Sequence, residues 1–154
     1  TRTVDGSAED AAAAASDAAL SEALELDPDF VRAQALLAVR DFDLPAASLL
    51  TTKERIAASD VLARQALEDK DLQSGDILPK LYSIHAMGLG FDGRHKQAVQ
   101  TARQAVIVDP NYAYGYAMLG WILQFAGEPE DAITALQIAK RLDPHWPALF
   151  SGGD

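Results

Sequence analysis

Apolar residues in the second half of the chain recur at the spacing of a helix face. Tyr116, Leu119 and Leu123 stand at i, i+3 and i+7, and Ala132 and Ala139 belong to a second stripe of the same kind. This pattern predicts two helices that pack against each other in antiparallel orientation.

The same pattern stands 34 residues earlier, because residues 79–110 match residues 113–144 at that offset. The matching pairs are Tyr82 and Tyr116, Leu89 and Leu123, Phe91 and Phe125, Gly93 and Gly127, Ala98 and Ala132, and Pro110 and Pro144. Small residues at Ala86 and Gly120 predict close approach of the paired helices. Asp-Pro is expected to end each pair, with Asp capping the following helix and Pro in its first turn.

Weaker copies of the unit precede these two. Residues 7–26 have the spacing of a second helix without its first, residues 31–40 are predicted as a first helix, and residues 53–70 as its partner. Because Pro45 disfavours a continuous helix, an insertion of about nine residues is placed near 41–52. The predicted segments of one domain, 1–154, are 7–28, 29–71, 77–110, 111–144 and a C-terminal cap or tail over 145–154.

Residues 113–144 resemble a tetratricopeptide repeat, with an aromatic residue, a Leu-Gly pair, Ala-x3-Leu-x2-Ala and a closing Pro. The resemblance implies an all-α fold, an α-solenoid of antiparallel helix pairs in a right-handed superhelix. About three pairs are expected, with an orphan helix at the N-terminus and a short cap at the C-terminus. An orphan second helix leaves one flank uncovered, so we expect the chain to be part of a longer array.

In this family the first helices line a concave groove that binds other proteins. Transferring the groove positions to this sequence predicts an apolar, aromatic peptide-binding surface with two cations at its edge: Arg32, Val39, Phe42, Lys80, Met87, Phe91, Tyr114, Trp121, Gln124 and Phe125. The alternative is that aromatic residues at this spacing, Phe91 and Phe125 above all, pack inside the core. The Lys and Asn residues that clamp a carboxylate in some members are replaced by Ser83, Met87, Ala117 and Trp121.

Composition narrows the function further. The 154 residues include 13 basic and 23 acidic side chains, a formal net charge of −10 that disfavours a nucleic-acid backbone as partner. The absence of Cys excludes disulfides, thiolate metal sites and Cys nucleophiles. No apolar run approaches the ~18 residues of a membrane span, so no membrane insertion is predicted.

Candidate chemistry is sparse. His85, His95 and His145 each lack a second His or carboxylate at i+3 or i+4, which disfavours zinc. The run Gly88-x-Gly90-x-x-Gly93 has the spacing of a phosphate loop but no preceding strand, so we interpret it as a turn between helices. We therefore predict no catalytic residues, no metal, no cofactor and no enzyme activity.

Three functional hypotheses follow. The first is a module that binds a peptide or helix of another protein. The second is a regulatory or ligand-sensing tail of a larger signalling or transcription-regulatory protein. The third is a scaffold that self-associates through its open N-terminal end. The insertion near 41–52 is a further candidate contact, and the compartment stays open.

Overall fold

A computed structural model describes residues 3–43, 49–72 and 76–145, with side chains for residue 11 and residues 15–39, 53–72 and 76–145. Every regular element in these residues is helical. The α-helices are α1 (Thr3–Leu26), α2 (Val31–Asp43), α3 (Leu49–Glu68), α4 (Leu78–Phe91), α5 (His95–Val108), α6 (Ala113–Phe125) and α7 (Pro129–Leu142), with a 3-10 turn at Lys70–Leu72.

Neighbouring helices pack in pairs, α2 with α3, α4 with α5 and α6 with α7, while α1 packs against α2. The fold is an α-solenoid of helix pairs, as the sequence predicts. The first helices of successive pairs also contact one another, α2 with α4 and α4 with α6. Among the described residues the second helices of successive pairs, α3 with α5 and α5 with α7, make at most marginal contacts with one another. The first helices therefore lie on the inner side of the stack. The handedness of the superhelix stays a prediction.

The 34-residue repeat extends to the backbone dihedral angles. Gly93 and Gly127, one in each turn between paired helices, have φ of 78° and 79°. Gly reaches this left-handed region at little cost, which is why it ends a helix here. The other two glycines of the run, Gly88 and Gly90, lie inside α4, so only Gly93 belongs to the turn predicted for all three.

The Asp-Pro steps work differently from the prediction. Asp109 and Asp143 are the C-caps of α5 and α7 and adopt an extended backbone, as a residue before Pro prefers. The Oδ1 of Asp109 accepts a hydrogen bond from the backbone N–H of Asn111 at 3.0 Å, and Asp27 and Asp143 make the same contact two residues on. Asp thus closes a turn after one helix, and α6 begins only at Ala113, without a side-chain cap.

The region of the predicted insertion is largely helical. Helix α2 runs on to Asp43, and α3 begins at Leu49 and has 20 residues, against 14 in α5 and α7. Most of the additional residues therefore lengthen α3 at its N-terminal end, where a loop was expected. Residues 44–48, and residues 146–154 of the predicted cap, lie outside the described residues.

The core consists of two clusters that share helix α4. Leu81 and Ile84 pack with the small residues of α2 and α3, while Ala86, Met87 and Leu89 pack with α5, α6 and α7. Both faces of α4 are thus buried, and the helix joins the two halves of the solenoid.

Paired helices approach closely where the sequence places small residues. A Cβ on Gly120 would stand 2.7 Å from Leu136 Cγ and 3.1 Å from the carbonyl oxygen of Ala132, closer than atoms pack. In the preceding pair, the positions of Gly120 and Leu136 hold Ala86 and Ala102, both buried. The same interface is thus filled by one large side chain opposite glycine in the later pair and by two alanines in the earlier pair.

The contact between positions 120 and 136 predicts that substitutions at the two positions are not additive in a double-mutant cycle. Gly120→Ala should lower the free energy of unfolding by about 1–3 kcal/mol through overpacking, less the ~1 kcal/mol gained in helix propensity. In a Leu136→Ala background the same change should cost less, because the clashing side chain is gone and only the close approach to the Ala132 carbonyl oxygen remains. Chemical denaturation monitored by circular dichroism measures both steps.

Gly90→Ala is the matched control, since its Cβ would lie 4.0 Å from the nearest described neighbour, Ile122. It should stabilise in either background. If Gly120→Ala changed the free energy of unfolding equally with and without Leu136, the contact with Leu136 would not be what excludes a larger residue at position 120.

Candidate functional site

The predicted groove residues on the first helices differ widely in exposure. Arg32, Gln124 and Phe125 are exposed, whereas Val39, Lys80, Phe91, Tyr114 and Trp121 are half-buried, Met87 is buried, and the side chain of Phe42 lies outside the described residues. The surface open to a partner is therefore narrower than the predicted set.

Three of these residues form one aromatic row, which we define as Phe91, Trp121 and Phe125. The ring centroids of Phe91 and Trp121 are 5.6 Å apart, and those of Trp121 and Phe125 are 4.5 Å apart. Phe91 and Trp121 pack against the edge of the core cluster. Phe125 is 59% exposed, so the row runs from the core edge out to the surface.

The repeat explains how the row is assembled. Trp121 and Phe125 stand at i and i+4 on α6, which places them on one face of the helix. Phe91 occupies the position of Phe125 one unit earlier, and the contact between α4 and α6 brings its ring to Trp121. The row thus depends on the stacking of two successive pairs.

The two helices that carry the row contain little charge. Helix α6 contains no Asp, Glu, Lys or Arg, and α4 contains Lys80 as its one such residue. Lys80 and Arg32 hold the same position in successive units. The chemistry that the row itself offers is apolar burial.

Other positions of the family groove are closed. Met87 is 7% exposed and belongs to the core cluster, and Ser83 and Ala117 are buried. A buried Ser or Ala offers a partner no surface. The positions of Ser83 and Ala117 therefore lack the side chains of a carboxylate clamp and are also inaccessible to a partner.

One polar cluster has no counterpart in the sequence analysis. His85 Nδ1 lies 2.7 Å from Asp60 Oδ1, and Arg64 Nε lies 3.5 Å from Asp60 Oδ2. The absence of a side chain at Gly88 makes room for Asp60, because a Cβ there would stand 2.8 Å from Asp60 Cβ. His85 and Asp60 are 25 residues apart on different helices, so no local spacing could have indicated their contact, whereas Arg64 stands four residues after Asp60 on α3.

The described part of the chain holds no group of three or more His, Asp or Glu side chains that could bind a metal ion. No helix within it combines the length and the hydropathy that crossing a bilayer requires.

Comparison with known proteins gives one distant relative. No protein-family model matches the chain. The small glutamine-rich tetratricopeptide repeat-containing protein 2 of Mycosarcoma maydis is 28% identical over 114 residues, which is 73% of this chain and 32% of that protein. The chain thus spans about a third of that relative's length. This similarity and the helix pairs agree with a helical repeat of the tetratricopeptide type.

The exposure of the side chains assigns Phe125 to the binding surface and Met87 to the core. The effect of each substitution on the free energy of unfolding tests this assignment. Phe125→Ala should change the free energy of unfolding by less than about 1 kcal/mol, because most of the ring is already in water. Met87→Ala should cost about 2–5 kcal/mol, since it opens a cavity in the core. Urea denaturation of the two variants measures the difference, and equal costs would contradict this assignment.

Proposed function

We propose that the chain is a protein-interaction module whose inner face binds an apolar segment of a partner protein at the aromatic row. The observation that carries the proposal is the exposed ring of Phe125, continuous with Trp121 and Phe91. Exposed aromatic side chains on a rigid scaffold are typical anchors of protein interfaces. Binding of this kind requires no cofactor and no catalytic group.

An amphipathic helix fits the row best. Neighbouring side chains on a helix face lie about 5–6 Å apart, close to the ring separations of 5.6 and 4.5 Å. A helix that presents apolar residues at i, i+3 and i+4 would cover the row and exclude water from it. Lys80 and Arg32 would then favour partners with acidic residues on the flank that faces α2 and α4.

The distant relative supports the same class of function, because its tetratricopeptide repeats belong to a family of protein-binding folds. A regulatory tail would use the same surface for a segment of its own polypeptide. Self-association through the N-terminal end would use α1, none of whose described side chains is buried. We place self-association behind the interaction module because it does not use the row, and a regulatory tail differs from the module only in the origin of the bound segment.

Peptide selection tests the proposal without requiring an identified partner. Random peptides displayed on phage are selected on the immobilised chain, and the Kd of each selected peptide is measured by fluorescence polarisation. We expect a consensus of apolar residues at helical spacing. Phe125→Ala should weaken binding by about tenfold or more, as loss of an aromatic anchor does.

Ile107→Ala is the matched control, because Ile107 is an equally accessible apolar residue, 66% exposed, on the second helix α5. It should leave the Kd within about twofold. Equal losses in the two variants, selected peptides without apolar residues, or unchanged binding to the Phe125 variant would contradict the proposed site.

A further inference from the structure

A second concave feature lies away from the exposed end of the aromatic row. An open pocket of about 330 Å³ is lined by α3, α4 and the turn that leads into α5. Its apolar wall includes Ile56, Leu89 and Phe91. The volume lies at the small end of ligand-binding pockets, which are typically ~300–1,000 Å³.

Five charged side chains also line the pocket. Lys53, Arg64 and Arg94 face two carboxylates, Asp60 and Asp92. Asp60 is already engaged by Arg64 and by His85, at 3.5 and 2.7 Å. No ion pair within the described residues joins Lys53 or Arg94 to a carboxylate, so the cationic groups here exceed what the pocket itself neutralises.

This excess is notable in a chain of net charge −10. The lengthening of α3 at its N-terminal end brings Lys53 to the pocket, and the turn after α4 brings Arg94. The segment that distinguishes this unit from its neighbours thus supplies one of the two cations.

From this arrangement we infer that the pocket binds a carboxylate attached to a small apolar group. Lys53 and Arg94 would hold the carboxylate, and the wall of Ile56 and Leu89 would cover the apolar part. Three basic and two acidic side chains leave an excess of one positive charge, which suits a single anionic group. A phosphate with two charges would meet repulsion from Asp92.

A free organic acid and the C-terminal carboxylate of a peptide share this chemistry. The pocket shares Phe91 with the aromatic row, but its cations and carboxylates lie on α3 and in the turn after α4, and Phe125 does not line it, so the inference does not depend on the proposed function. Changes at Phe125 and changes at Arg94 therefore test the two sites separately.

Phenylacetate is a suitable probe, titrated into the isotope-labelled full chain while amide NMR signals of Gly88, Asp92 and Arg94 are followed. We expect saturable shifts at these residues. Phenylacetamide, which has the same shape without the charge, should bind about tenfold more weakly, and acetate, which lacks the apolar part, should also bind more weakly. A short alanine peptide ending in Phe identifies the source: tighter binding than phenylacetate indicates a partner's C-terminus, and weaker binding a free acid.

Charge variants give the decisive comparison. Lys53→Gln and Arg94→Gln should each weaken phenylacetate binding about three- to fivefold, and Asp92→Asn should tighten it by a similar factor, as expected for exposed charge pairs. Lys96→Gln is the control, an exposed cation two residues from Arg94 that does not line the pocket. All four positions are exposed, so the fold is expected to persist, which circular dichroism checks.

Three results would overturn the inference. The first is the absence of saturable shifts, and the second is equal affinity for phenylacetate and phenylacetamide. The third is an equal effect of Arg94→Gln and Lys96→Gln. That result would show that the anion is attracted by nearby positive charge in general and not by the pocket.

Discussion

Burial of helix α4 on two sides is the interaction on which the rest of the structure depends. A single pair of helices leaves one apolar face in water, so each pair in a solenoid requires its neighbour. Leu81 and Ile84 pack against α2 and α3, the pair before α4, while Met87 and Leu89 pack in the cluster that contains α6 and α7, the pair after it. Since the residues of both clusters belong to one helix, α4 fixes the relative position of both halves and, with it, the surfaces that the two halves form.

The exposure of the aromatic row follows from the same stacking. Phe91 and Phe125 hold equivalent positions, but in the described part of the chain only Phe91 has a following first helix beside it, and Trp121 of that helix covers part of its ring. The described residues contain no further first helix after α6 that could cover Phe125 in the same way. One repeated position thus supplies a packing residue in one unit and an exposed ring in the next.

Sequence periodicity predicted the helix pairs, their 34-residue repeat and the small residues between them, because these features depend on local spacing. It could not separate Met87 from Trp121, which hold the same position in successive units. The face of a helix follows from its own sequence, but the distance to the next helix depends on side chains elsewhere. The pairing of Asp60 with His85 and the extension of α3 escaped prediction for the same reason, since each involves contacts or helix boundaries that no local spacing specifies.

Phe91 connects the two surfaces. Its ring contacts Trp121 in the aromatic row and also forms part of the wall of the charged pocket. Phe91 thus lies between Trp121 of α6 and a pocket whose lining includes Lys53, Ile56 and Asp60 of α3. Because interiors are close-packed and side chains occupy discrete rotamers, a shift of this ring on one side requires an adjustment on the other. The repeat that places an aromatic residue at this position thereby makes the packing of the inner face and the shape of the pocket depend on one side chain.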